Sequence, residues 1–453
     1  MNLFLHHSPA ANKISFFFIA VACCLSAASC SAQKQIAKSA ATTILDDTLF
    51  QTAHIGIAVY DAAANKFLYN HQGEHYFIPA SNTKIITCYA VMKYLCDSLE
   101  GMRYYTNSNN QVTIIPTGDP TFLHPDFSYQ PVYNFLSVHA ASITGACSNN
   151  WNENALGFGW SWDDYNDDYM AERSLFPVYG NVATISNQSG VIKISPFTFP
   201  LVYGGVKENE KPFQQNGNTK YNFKRTISDN IFLWDYSDKN FTSQQIPFIT
   251  SDTAINRIIK DTIKNLDLKF DNTCSTKNYS IIHSQPVDSL LKIMMHRSDN
   301  FFAEQSLLMI SNKLLGTMND EKIIDTLLNT DFKEMPQPPR WVDGSGLSRY
   351  NLFSPQDFVF VLNKMRNEFL WQRITTIFPT GGTGTLGSRY KHLEGKIFAK
   401  TGSLSNNATF SGYLITQSGK TLIFSIMVNN YIAEGSKLRN DMMHFLTRLY
   451  EKY

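Results

Sequence analysis

Between Phe77 and Leu95 the chain reads FIPASNTKIITCYAVMKYL, and no other stretch limits the fold as tightly. Ile85, Ile86, Cys88, Tyr89, Val91, Met92 and Leu95 leave almost no polar stripe, so the segment predicts a helix with protein on most sides. Pro79 suits a chain entering its first turn, and Ser81 or Asn82 can cap free backbone N–H groups there. Lys84 is the awkward residue. If it shares the helix with Ser81, three positions earlier, the two side chains lie on one face, one turn apart. A lysine in apolar surroundings loses proton affinity, and a neutral amine within reach of a serine can take its proton. The pair reads either as a nucleophile with its base, or as a helix cap beside a lysine that snorkels to water.

Enclosing such a helix takes a large core, and 453 residues with 43% hydrophobic and 17% charged content can supply one over two or three domains. Lys plus Arg number 39 against 38 Asp plus Glu, with no long like-charge run, which argues against a nucleic-acid partner and for a small, near-neutral substrate.

The first 35 residues are expected to lie outside the fold. Lys13 precedes the apolar run ISFFFIAVACCLSAAS, too short for a comfortable membrane span and ending in small residues, so 1–32 reads as a secretory signal peptide. The mature protein is therefore expected in the periplasm or cell envelope. Cys30 after Ala27, Ala28 and Ser29 resembles a lipoprotein cleavage box without its usual leucine, which makes a lipid anchor at Cys30 one expectation and plain cleavage after Ala32 the other. Cys88, Cys96, Cys147 and Cys274 form no CxxC pair, so neither a metal site nor a cofactor is expected. Cys88 and Cys96 are about 12 Å apart along the predicted helix, too far to bridge. Cys147 can pair with Cys274 in an oxidising compartment, a question the sequence leaves open.

Residues 54–72 alternate apolar and polar around a small-residue turn and predict a β-hairpin. GKIFAKTGSL, FSGYLITQSG and KTLIFSIMVNN predict three more strands, the last two joined at Ser418–Gly419, and the final 18 residues have a helical period. The two ends thus look like halves of one sheet with helices on it. The polar, turn-rich stretch between them, 101–285, reads as a β-rich insertion, and helical periodicity returns from about 286. Inside that returning segment stands HRSDNFFAEQ. A turn there can aim Ser298 and Asn300 at one cleft, or simply start a helix. In AKTGSLSNN, Lys400 adds charge, Thr401 can meet a carboxylate and Gly402 keeps the strand edge bare for a substrate backbone. The Ser403 and Ser81 N–H groups together could form an oxyanion hole, whereas the bland reading is a strand ending in a glycine turn.

The trio SxxK, SxN and KTG resembles that of the penicillin-binding proteins and class A β-lactamases. The long gap between Ser81 and Ser298 makes the chain similar to the low-molecular-mass class C penicillin-binding proteins of the type 4 group, peptidase family S13. TGDPTF (117–122), GWSWDDYNDDY (159–169), RSDNFFAEQ (297–305), DGSGLSRYNLFSP (343–355) and GTGTLGSRY (382–390) carry the same resemblance, which is weakest across 190–285. It implies an α/β (α+β) fold in which 36–100 and 286–453 form a discontinuous transpeptidase-like domain. That domain would hold a five-stranded antiparallel sheet flanked by helices, with 101–285 inserted. It implies D-alanyl-D-alanine carboxypeptidase and endopeptidase activity on peptidoglycan stem peptides, with β-lactams as covalent inhibitors. Ser81 would attack the penultimate D-alanine carbonyl, Lys84 accept its proton, Ser298 pass a proton to the leaving amine, Asn300 hold the stem-peptide carbonyl and Lys400 tune the field at Ser298. Thr401, Gly402 and Ser403 would receive the terminal carboxylate, and Arg349 with Asp163 or Asp164 would face the free end of the diamino acid. An ion-pair role for Arg349 and turn capping for the two aspartates are the alternatives. A β-lactamase would need a deacylating glutamate that the sequence does not single out. A non-catalytic binder of peptidoglycan or β-lactams would have no reason to keep both nucleophile and base. A histidine triad fits poorly: His296 lies near Ser298 but no GxSxG elbow occurs.

Overall fold

The structure, a computed structural model, describes residues 33–188, 191–196, 199–203, 223–234, 242–274 and 278–453. The expected signal peptide, its cleavage sites and Cys30 lie outside the described residues. A helix over 33–40 (α1) leads to the hairpin β1 (His54–Asp61) and β2 (Lys66–His71), then a 3-10 turn, Ala80–Asn82, and α2 (Thr83–Tyr94). The middle of the chain contributes β3 (Ser98–Thr106), β4 (Val112–Pro116), α3 (Pro131–His139), β5 (Ile143–Cys147), β6 (Val182–Gln188), β7 (Val191–Ser195) and β8 (Leu201–Tyr203). It continues with β9 (Phe223–Arg225), β10 (Phe232–Trp234), β11 (Ser243–Pro247), α4 (Asp252–Thr262), β12 (Phe270–Asp271) and β13 (Ser280–Pro286). Helices α5 (Val287–Arg297), α6 (Asn300–Leu315), α7 (Asp320–Asn329), α8 (Pro355–Glu368) and α9 (Trp371–Ile377) follow. The chain closes with β14 (Ile397–Leu404), β15 (Asn407–Ile415), β16 (Thr421–Asn429) and α10 (Gly435–Lys452).

Both ends of the chain build one five-stranded sheet, in the order β14-β15-β16-β1-β2 and antiparallel at every junction. Its expected hairpins are present, and Gly419 supplies the positive φ (85°) that the β15–β16 turn needs. β1 departs from the half-polar strand that its alternation predicts, because seven of its eight residues are buried. Ala58 and Tyr60 pack with α2, α5, α6 and α8 on one face, while Ile55, Ile57 and Val59 pack with α1 and α10 on the other. A central strand covered on both faces has no polar side to display.

On the first of these faces, every residue of α2 from Thr83 to Met92 is buried, as its missing polar stripe requires. The expected Ser or Asn cap is absent: Asn82 makes no capping bond and instead donates to Ser411 Oγ on β15 at 2.6 Å. That contact ties the start of the helix to the sheet.

β3 and β13 are antiparallel neighbours, with Ser98 opposite Pro286, so the chain leaves and re-enters the helical part side by side. The expected boundary at 100/101 falls within β3, and that at 285/286 at the last residue of β13. These two strands belong to a second sheet, β12-β5-β4-β3-β13, and two three-stranded sheets, β11-β6-β7 and β8-β10-β9, complete the segment. They share a core that includes Met102, Ile114, Leu136, Phe176, Phe232, Phe248 and Ile259. Cys147 and Cys274 are disulfide-bonded, with Cα atoms 5.8 Å apart, while Cys88 and Cys96 are free. Among the described residues no helix is long and apolar enough to cross a membrane.

Candidate active site

Ser81 sits in the 3-10 turn between β2 and α2, and the turn is held from several sides. Asn429 on β16 accepts the Ile78 N–H at 2.7 Å, and Thr409 on β15 donates to the Pro79 carbonyl at 2.7 Å. Ala80 carries a φ of 47°, a left-handed conformation that costs an alanine energy and that the surrounding bonds impose. The result is a partly exposed serine directly above a fully buried lysine.

Lys84 Nζ lies 3.1 Å from Ser81 Oγ, 2.6 Å from Asn300 Oδ1 and 2.7 Å from the Ser345 carbonyl. Burial pulls its pKa down to about 8, and the charges of Asp343, Glu304 and Asp299 limit the fall. Three acceptors converge on this one nitrogen.

Ser298 occupies the turn between α5 and α6 in a left-handed conformation, φ 63° and ψ 38°. Asp299 accepts the Phe302 N–H and caps α6, so the helix-start reading of SDN is correct for the aspartate. Arg297 holds that aspartate and also reaches Asp126 at 2.7 Å, which braces the turn against the middle segment. From β14, Lys400 Nζ donates to Ser298 Oγ at 2.8 Å and to the Thr401 carbonyl at 2.6 Å. Lys400 is buried, and that burial together with the charge of Lys84 pushes its pKa well below the usual lysine range. Two lysines therefore flank the Ser81–Ser298–Asn300 group from beneath.

Gly402 also matters for packing within the site. A Cβ there would stand 2.2 Å from Thr409 Oγ1, 2.8 Å from the Pro79 carbonyl and 3.0 Å from the Ser81 nitrogen. The missing side chain makes room for the turn that carries Ser81. The Ser81 and Ser403 amides consequently lie on neighbouring backbone segments, Ser403 is exposed, and Thr401 is half-buried.

The remaining expected residues lie on loops. Arg349 is exposed, with Nη1 at 3.5 Å from the Ser405 carbonyl. Asp163 is exposed and accepts from Ser161, while half-buried Asp164 has its carboxyl raised by burial and stabilised by Tyr169 and the charge of Arg349. Neither aspartate caps the Trp162–Asp164 turn at its N-terminus. Asn300 ties this loop to the site, since its Nδ2 donates to the Tyr169 carbonyl at 2.9 Å.

Sequence reasoning missed the Asp343–Ser348 turn as a functional part. Asp343, wholly buried, accepts from the Gly346 N–H, the Ser348 N–H, Asn351 Nδ2 and Trp160 Nε1. The only signal was the D-G-S-G string itself, because the contact with Lys84 is made by a backbone carbonyl.

The sequence profile of the D-Ala-D-Ala carboxypeptidase 3 (S13) family matches residues 36–193 and 262–449. This chain belongs to that family. The stretch between the matched parts, which includes β8 to β11, is where this S13 member departs most from the family pattern. D-alanyl-D-alanine carboxypeptidase DacB of Haemophilus influenzae is 22% identical over 466 residues, covering 90% of this chain and 92% of the relative. Carboxypeptidase DacB of Mycolicibacterium smegmatis is 28% identical over 161 residues, 33% of this chain and 35% of the relative. A crystal structure of penicillin binding protein 4 from H. influenzae superposes with a TM-score of 0.69 at 19% identity, over 89% of this chain and 97% of the other. A second, of the same protein with a β-lactam, gives 0.64. The fold is therefore the one that the three motifs imply.

Proposed function

We propose that this S13 member is a serine D-alanyl-D-alanine carboxypeptidase, with cross-link endopeptidase action as a second use of the same site. The observation that carries the reading is the buried Lys84 amine 3.1 Å from Ser81 Oγ, with its proton affinity reduced by burial. Ser81 Oγ attacks the penultimate D-alanine carbonyl while Lys84 takes the serine proton. The oxyanion forms against the Ser81 N–H in the turn before α2 and the Ser403 N–H on β14. As the C–N bond breaks, a proton passes through Ser298 to the departing amine. Lys400, bonded to Ser298 Oγ, sets the field there. The Asn300 amide spends one hydrogen on the Tyr169 carbonyl and keeps the other for a stem-peptide carbonyl. Thr401, Gly402 and Ser403 meet the terminal carboxylate, and water then releases the acyl group and returns the proton to Ser81. A β-lactam acylates the same oxygen but leaves slowly.

Arg349, Asp163 and Asp164 face the free end of the diamino acid in this proposal, supported by the electrostatic contact between Asp164 and Arg349. The same reading divides the chain into a catalytic part, 36–100 with 286–453, and an inserted part, 101–285. It has residues 1–32 as a signal peptide that delivers the protein to the periplasm or envelope, soluble or held by lipid at Cys30. Incubation with a stem pentapeptide tests it: one D-alanine is released per peptide and penicillin stops the release, while a cross-linked dimer reads the endopeptidase action. Rapid penicillin turnover with no D-alanine released would instead mark a β-lactamase.

A further inference from the structure

The Ser345 carbonyl that meets Lys84 is part of a backbone segment gripped on every polar group. Its own peptide ends in the Gly346 N–H, which Asp343 Oδ1 accepts at 2.8 Å. In the preceding peptide, Glu304 Oε1 accepts the Ser345 N–H at 2.7 Å, and Thr87 Oγ1 donates to the Gly344 carbonyl at 2.6 Å. Glu304 follows Asn300 by one turn of α6, and Thr87 follows Lys84 by nearly one turn of α2. Helix α6 therefore acts on Lys84 twice, directly through Asn300 Oδ1 and indirectly through Glu304 and the Ser345 carbonyl.

Glu304 is expensive for a residue that only holds one N–H. It is 1% exposed, its Oε2 makes no hydrogen bond, and the nearest opposite charge is Arg173 Nη1 at 3.6 Å. A glutamine oxygen would hold the same N–H without the cost of burying a carboxylate. The charge pairs with the buried Arg173 and also acts on Lys84.

We propose that Glu304 is a positioning residue for the reaction: its Oε1 aims the Ser345 carbonyl at Lys84 Nζ, and its negative charge sets the pH at which Lys84 becomes a base. The inference rests on the assignment of Ser81 and Lys84 above. Lys84 is faced by Asp343, Glu304 and Asp299, and by Lys400 across the site. Glu304 is faced by Asp343, Arg173 and Asp320, with Glu153 beyond Arg173. Burial raises the Glu304 carboxyl to about 8, so its charge develops in the same pH range in which Lys84 loses its proton. A negative charge beside Lys84 favours the ammonium. Removing it favours the free amine at lower pH.

The test is the rate at which penicillin acylates Ser81 in the full chain, followed across pH. Glu304→Gln keeps the acceptor and loses the charge, so the rising limb moves to lower pH by at least about half a unit while the plateau stays within about threefold of wild type. Thr87→Val removes a grip and no charge, so it lowers the plateau about tenfold and leaves the limb in place. A Glu304→Gln protein that folds as wild type does and has an unmoved limb would overturn the proposal. If that variant does not fold, Glu304→Asp keeps the charge and shortens the reach; a plateau equal to wild type would then overturn it, and a drop of about tenfold would support it. Absence of any wild-type adduct at Ser81 would instead overturn the assignment on which the inference rests, so the two failures are told apart.

Discussion

A lysine with no exposed surface keeps a proton only as long as its neighbours make the ammonium worthwhile. Lys84 has three acceptors and three acidic groups around it, yet burial dominates and brings it to about 8. At pH 7 on the order of a tenth of the molecules then carry the free amine that a base requires. Acylation is expected to rise with pH, levelling off above about 8, because the reactive form is the deprotonated one. A rate that is flat from mildly acid pH upward would contradict this. Lys84→Met should cut acylation by about 10³-fold or more, read with a fluorescent penicillin. Ser81, both lysines and the Ser298–Asn300 pair, which the structure brings together, could be singled out from the sequence because each motif concentrates its residues within three or four positions. Glu304 and Asp343 were not, because they reach Lys84 through the backbone of a distant loop.

At the scale of elements, the site exists because β14 can lie against the 3-10 turn that carries Ser81. Gly402 permits that approach, and Gly402→Ala would force β14, Thr409 or the Pro79–Ser81 backbone to move. The expected outcome is a loss of about 1–3 kcal/mol in stability, from overpacking, with acylation slowed about tenfold or more. Thermal unfolding and acylation rate measured on the same sample check both, and an unchanged rate would refute the close approach as a requirement. The strands and α2 were readable from periodicity and from the missing polar stripe. The cap on α2 was misread, since the local preference of Asn82 yields to its bond with Ser411 across the sheet. β1 was read as half-polar because a short strand's own residues do not say that α1 and α10 cover its second face.

The whole molecule is one antiparallel sheet made from both chain ends, with a separately cored segment entering and leaving on adjacent strands. The change from helical periodicity to a turn-rich texture pointed to an inserted segment, but the parallel pairings of β4 with β5 and β5 with β12 left no local signal. Cys147–Cys274 closes that segment beside the β5–β12 pair. Cys147→Ser is expected to destabilise it by about 2–4 kcal/mol while Ser81 still acylates, measured by urea unfolding with and without reductant. Equal unfolding curves would mean that the bridge contributes nothing. The central claim is that Ser81 is the nucleophile, and mass spectrometry of the intact protein after exposure to penicillin tests it most directly. One adduct that persists for minutes, maps to Ser81 and vanishes in Ser81→Ala is the predicted result; no adduct, or one on a different residue, would contradict the account.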